Sequence, residues 1–245
     1  MGGLVTALVQ PSVSTRRLLL DRPDRANALD AATVERLHDE LDLAARDEAR
    51  MVVLEARGRA FCGGLDLSGL DDESDATMLH RLVRIQLLLE RVQSSPALTV
   101  ALVDGAAVGA GADLVLATDV RLATSGASLR FPGSGFGAVL GTARLAAETS
   151  PSYATEVALS ARRIDAREGA HRGLWQLLDT PAAVEAEIER LTAAAGAAPV
   201  GTTAGLRAAA TPSRAGDPLA DLVRSLATTP GLRDRIRQHR DRGAR

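Results

Sequence analysis

The chain has 245 residues, 46% of them hydrophobic and 24% charged, which is ample apolar material for a packed core in one large or two small globular domains. A formal net charge of −2, with only one Trp, one Tyr and three Phe, leaves neither a basic field nor much stacking surface, so no nucleic-acid partner is expected. Cys62 is the single cysteine, which excludes an intrachain disulfide and a cysteine-based metal cluster and predicts a reducing compartment.

The opening "MGGLVTALVQPS" lacks the basic start and long apolar stretch of an export signal, and no run of about 18 apolar residues occurs. A cytoplasmic protein without a membrane partner is therefore expected. "STRRLLL" (14–20) reads as a strand that Pro23 and the polar residues of "RPDRANALD" bring to an end. Asp30 is placed to cap a helix whose apolar face carries Val34, Leu37, Leu41 and Ala44. "MVVLEA" (51–56) is a buried strand running into a glycine loop, "RAFCGGLDLSGL". A helix over 76–93 follows, then a strand over 97–105, which empties into the glycines of "GAAVGAGADLVLATDV" and a helix reaching Ala117. From about residue 150 the pattern predicts helices alone, over 151–160, 165–171, 181–195 and 216–241, and the Ala/Gly/Thr-rich stretch 192–217 is expected to contain loops. The expected organisation is a core over 1–150 carrying the site and a helical region over 151–245 for oligomerisation and site cover.

Glycine turns at strand ends let the backbone approach a ligand and aim N–H groups at negative charge. A dinucleotide fingerprint fails because Leu114 stands where "GAGADL" needs its third glycine. A phosphate-binding P-loop needs lysine, and the chain has none. A nucleophile elbow fails at Ser134, since Pro132 stands at the first glycine position of "FPGSGFG". What remains is two separate turns that each give one N–H to an oxyanion.

These segments resemble the enoyl-CoA hydratase/isomerase family, the crotonase superfamily. "LLLDRPDRANALD" resembles its N-terminal strand and Asn-Ala-Leu turn, "GRAFCGGLDLSGL" its Phe-(Ser/Cys)-Ala-Gly-x-Asp-Leu loop, and "VALVDGAAVGAGADLVLATDVRLAT" its glycine-triplet segment. "IDAREGAHRGLW" (164–175) is similar to a further family element. The resemblance implies an α/β fold, the crotonase-like ββα superhelix, with a helical C-terminal region. It implies that the N–H groups of Leu65 and Ala110 hold a thioester carbonyl. Gly63 and Gly64 would line the coenzyme A passage, with the Gly63 carbonyl near the adenine. Arg22 and Arg25, with basic residues of the last helix, would hold its phosphates. Coenzyme A would arrive as part of an acyl-CoA or carrier-bound acyl substrate, with no resident cofactor and no metal. Asp66 is expected to cap the turn that follows it, and Asp119 to be structural.

The family's hydratases use two glutamates. The first position is Asp113 here, shorter in reach by about 1.5 Å, and the second falls on Gly133, which has no carboxylate. The segment after it, "AVLGTARLA", is about three residues shorter than in the family. Ordinary two-glutamate hydration is therefore not expected, whereas reactions that need only an enolate remain open. His80 is read as solvated rather than catalytic, His38 and His171 as surface or structural, and Cys62 as packing. Asp104 stands where Asn is commoner in the family. In "GLRDRIRQHRDRGAR", Leu232 and Ile236 share one side; the charged side is either solvated or phosphate-binding. Two functions stay open: an enzyme acting on acyl thioesters through an oxyanion-stabilised enolate, with a decarboxylase or thioesterase as variants, or an auxiliary, non-catalytic crotonase-fold protein. A homotrimer or a hexamer is expected.

Overall fold

A computed structural model describes residues 15–210, 217–227 and 229–243. Three pairs of strands, within 51–62, 98–108 and 120–130, are each followed by a helix. β1 (Thr15–Leu20), β2 (Met51–Ala56), β4 (Leu98–Val103), β6 (Val120–Ala123) and β9 (Gln176–Leu177) form a parallel sheet in the order β1-β2-β4-β6-β9. A second sheet, β3-β5-β7-β8, is built from β3 (Ala60–Cys62), β5 (Ala106–Val108), β7 (Ser128–Arg130) and β8 (Arg163–Asp165), with β8 antiparallel to β7.

"MVVLEA" lacks alternation because both faces of its sheet are covered. Val52 and Leu54 face the main core with Leu37 and Leu41 of α1 (Ala31–Arg46). Met51 and Val53 face Ile188 and Leu191 of α7 (Pro181–Ala197). Asp30 caps α1 as expected, accepting from the Thr33 N–H at 2.8 Å. α2 (Asp75–Gln93) starts on a capping box between Ser74 and Thr77. The step from one sheet to the other at Gly105 is tight: its φ is +116°, and any Cβ there would collide with the Arg59 carbonyl.

The glycine turns follow the short second strands β3 and β5, not the long strands that the sequence pattern reveals. Three-residue strands are too short to show a period. For the same reason β8 and β9 lie in the half expected to be helical alone. The remaining helices are α3 (Ala110–Leu116), α4 (Thr142–Glu148), α5 (Pro151–Ser160), α6 (Ala166–His171), α8 (Thr202–Ala210), α9 (Pro218–Ala227) and α10 (Leu232–Gly243). α8 falls where loop was expected. It buries none of its residues and is fastened instead by Arg207, whose guanidinium meets both Asp119 oxygens at 2.6 Å. Asp119 also accepts from the Thr99 N–H and hydroxyl, which is the structural role expected of it. The helix expected over 216–241 is two helices, because Pro230 removes a donor and Gly231 has φ +75°.

α9 and α10 lay Leu222, Leu226, Leu232 and Ile236 against Met78 and Leu82 of α2 in the same chain. Asp75 of α2 caps α10, accepting from the N–H groups of Leu232 and Arg233 at 3.1 and 2.7 Å. The C-terminal helices thus have a core partner within the chain, which removes one reason for expecting them to be buried between subunits.

Candidate active site

Both glycine turns open onto one cavity of about 480 Å³. Gly63, Gly64 and Leu65 line it from the first turn, and Gly109, Ala110 and Asp113 from the second. Gly64 brings the turns together. Its φ is +84°, and a Cβ there would lie 2.5 Å from the Val108 carbonyl oxygen and 3.4 Å from the Ala110 nitrogen, so only glycine permits the approach. A bridge to the N-terminal turn fixes the loop on its other side, with the Leu29 N–H donating to the Gly64 carbonyl at 2.7 Å and the Asp66 N–H to the Leu29 carbonyl at 3.1 Å. Leu65 sits between these two bonds, and its own N–H donates to no group among the described residues. Ala110 opens α3, where a first-turn N–H has no helical acceptor. Two free backbone donors therefore stand at the floor of the cavity.

Asp66 caps its turn as expected: one oxygen accepts from the Ser68 N–H and hydroxyl at 2.9 and 2.7 Å, and the other pairs with Arg22 at 2.9 Å. Arg22 also pairs with Asp30 at 3.3 Å and donates to the Ala28 carbonyl, so this guanidinium holds the N-terminal turn in place. Arg25 is exposed and has no ion pair among the described residues. Neither arginine lines the cavity. Asn27 ties the same turn down, donating to the Arg57 and Ala60 carbonyls at 2.8 Å each.

Asp113 is 2% exposed, and its Oδ1 has no hydrogen-bond partner. Burial pushes its pKa up to about 7, opposed by the charge of Arg144 on α4. A carboxyl poised there exchanges a proton readily near neutral pH. Gly141 makes room for it, since a Cβ at 141 would overlap Oδ1. Gly133 lies on the cavity wall in the turn Pro132–Phe136, where a Cβ would come within 3.0 Å of the Ala138 carbonyl. A side chain there would need the Ala138 carbonyl to give by a few tenths of an ångström.

His80 is exposed and lies outside the cavity, and His171 is exposed. His38 is buried, its Nε2 3.3 Å from the Arg84 carbonyl oxygen. Cys62 is fully buried against Gly111, and burial pushes its thiol up to about 12, so it packs rather than reacts. Asp104 accepts from the Thr124 hydroxyl at 2.6 Å, bracing the turn between the sheets. The Ser134 hydroxyl donates to the Ala158 carbonyl. The sequence reading passed over His239. It lines the cavity from α10 beside Arg240. The signal was its spacing, seven residues from Leu232 and three from Ile236, which puts it on the inward side of the helix.

Repeated ββα turns whose glycine loops set free backbone donors beneath an apolar cavity define the crotonase fold. The chain belongs to the enoyl-CoA hydratase/isomerase family, whose model matches residues 13–209. It is 34% identical over 178 residues to a Mycobacterium tuberculosis protein provisionally named enoyl-CoA hydratase echA6, covering 70% of this chain and 71% of the relative. A Rhodobacter capsulatus protein, also provisionally named enoyl-CoA hydratase, is 39% identical over 165 residues, 65% of this chain and 63% of its own. The solved structure of a Bordetella parapertussis protein provisionally named enoyl-CoA hydratase/isomerase superposes with a TM-score of 0.86 at 37% identity, over 93% of this chain and 95% of that one.

Proposed function

We propose that the chain binds an acyl-coenzyme A or carrier-bound acyl thioester in this cavity and stabilises its enolate through the N–H groups of Leu65 and Ala110. The observation that carries this reading is the close approach of the two turns at Gly64, which leaves two unpaired donors beside a buried carboxyl. A thioester oxygen gains charge as the enolate forms, and donors already in place meet it without reorganisation. Asp113 gives or takes the proton at the carbon chain. The passage past Gly63 takes the coenzyme, and the Gly63 carbonyl, which accepts no bond among the described residues, is free for the adenine amine. Of the two arginines of the N-terminal turn, Arg25 is the one without an ion pair among the described residues and so free to meet a phosphate. Coenzyme A enters as part of the substrate.

Leu65, Leu82, Val108, Phe131, Phe136 and Leu140 make the wall apolar, which suits an aliphatic acyl group. Among the described residues no helix is long and apolar enough to cross a membrane, and we place the protein in the cytoplasm. Calorimetry with acetyl-CoA and crotonyl-CoA tests the reading: both should bind at or below millimolar concentration, and failure of both to bind would reject it. A second reading, an auxiliary protein that keeps the fold without catalysis, rests on Gly133. It predicts thioester binding, if any, with no turnover on any acyl-CoA. We further propose a homotrimer or a dimer of trimers, which light scattering would reject by finding a stable 25.5 kDa monomer at micromolar concentration.

A further inference from the structure

Hydration with Asp113 as the proton donor to the α carbon calls for a second group that takes the proton of water, and Gly133 cannot be that group. The turn Pro132–Phe136 that lacks the carboxylate is covered by one side chain. The imidazole of His239 lies directly over Gly135, so that a Cβ at 135 would collide with its Nδ1 and Cε1. The ring meets Phe136 edge-on, centroids 5.5 Å apart. Arg235, one helical turn earlier, donates to the Phe136 carbonyl at 3.0 Å and fixes α10 against the same turn. His239 makes no hydrogen bond among the described residues, so its ring nitrogens are uncommitted. The other basic side chains on the cavity wall, Arg130 and Arg240, are guanidinium groups, which donate hydrogen bonds and accept none. Among the described lining residues only Asp113 and His239 exchange protons near neutrality.

We propose that His239 is the second proton-transfer group of the acyl site, a catalytic residue that α10 supplies where the turn at Gly133 supplies none. The inference rests on the thioester reading of the cavity. For a 2-enoyl thioester the step balances with water as co-reactant. The ring nitrogen of His239 takes a proton from water as its oxygen bonds to the β carbon. The C–C π pair shifts toward the thioester, and its oxygen, now negative, is held by the Leu65 and Ala110 N–H groups. Asp113, in its acid form, gives its proton to the α carbon as the carbonyl reforms. His239 ends protonated and Asp113 ionised, and solvent resets both. Burial and the positive charges of Arg242, on its own helix, and Arg130, on β7, hold the imidazole below its usual pKa, so it is a neutral base at pH 7. The turn Pro132–Phe136 presents no titratable side chain to it. Asp71, from the turn at 70–72, pairs with Arg237 and Arg240 instead.

The test measures crotonyl-CoA hydration by the full-length protein and by His239→Gln, together with calorimetric binding of crotonyl-CoA to both. The expected result is a kcat lower by at least about 100-fold, with KM and Kd within about threefold, and loss of the acid limb of the pH–rate profile. In His239→Ala, added imidazole should restore part of the rate, which a structural role would not allow. Wild-type turnover in His239→Gln overturns the proposal, as does a fall in rate that comes with lost affinity and no rescue. Wild-type protein that binds crotonyl-CoA without hydrating it also overturns the proposal while leaving the thioester reading in place. Absence of binding to the wild type removes both.

Discussion

Between Ala60 and Leu116 the cavity floor is held by backbone. Two turns touch through Gly64, a carbonyl ladder reaches Leu29, and helix α3 starts on its free N–H groups. The cover, from Phe131 to Gly141 and along α9 and α10, is held by side chains: Arg235 on the Phe136 carbonyl, the Ser225 hydroxyl accepting from the Val139 N–H at 3.3 Å, and Ile236 buried against α2. A floor of backbone donors keeps its chemistry whatever side chains surround it. A cover of side chains changes its chemistry with each substitution. That difference lets the two glycine loops stand beside a turn, Pro132–Phe136, that carries no carboxylate.

The sharpest way to break the comparison is to remove a floor donor. Leu65→Pro deletes one N–H that pairs with no group among the described residues, while the bonds on either side are made by the N–H groups of Leu29 and Asp66. Losing one oxyanion donor costs about 2.7–4 kcal/mol of transition-state stabilisation, or about 10²–10³ in kcat. A Leu65→Pro variant that folds, by circular dichroism and melting temperature, and turns over crotonyl-CoA at the wild-type rate would contradict the backbone account. Next in size is Asp113→Asn, which keeps shape and removes the proton. Steady-state kinetics should show turnover down by at least about 100-fold with KM nearly unchanged.

The floor was largely legible in the sequence because its signals are local. The glycines at 63 and 64, the "GAGAD" run and the Asp30 cap each declare themselves within a few residues, and Asp113 followed by counting from Gly109. The cover was not legible. His239 and Gly135 are 104 positions apart in the chain, and nothing in either segment shows that the ring of one sits on the backbone of the other. The Arg207–Asp119 pair that fastens α8 spans 88 positions. An Ala-rich segment with no buried face gives no period to read, so α8 passed for loop. The ion pairs of Arg22 were not legible either, since only the fold brings Asp30 and Asp66 to it.

Asp113 also links floor and cover through pH. Its pKa stands near 7 in the folded chain against about 4 when unfolded, so the folded state binds the extra proton between those values. Stability therefore falls as pH rises from about 4 to 7, and the full penalty of ionising a buried carboxyl is present above 7. Asp113→Asn does not titrate. The melting temperature of the variant relative to the wild type should rise by several degrees between pH 5 and pH 8, measured by thermal denaturation. A difference that stays constant over that range would mean that Asp113 is not held in a dry site, and that the cover does not close over it.

The smallest expected effect separates the two arginines of the N-terminal turn. Arg25 is exposed and unpaired among the described residues, so its removal leaves the fold alone and takes away only what it offers a ligand. A contact between an exposed guanidinium and a phosphate is worth about 1 kcal/mol, which is about a fivefold rise in Kd for crotonyl-CoA at low salt and close to none at 1 M, where screening reaches about 3 Å. Arg22 is different, because Asp66 is 5% exposed and loses a partner at 2.9 Å when the guanidinium goes. Arg22→Ala should therefore lower the melting temperature and disturb the Leu65 loop, raising Kd in a way that salt does not erase. Calorimetry at two salt concentrations distinguishes the cases. If Arg25→Ala leaves affinity unchanged at low salt while Arg22→Ala weakens it at low salt and not at 1 M, the phosphate contact belongs to Arg22, and the ion pairs that bind it in the free protein must open when the coenzyme arrives.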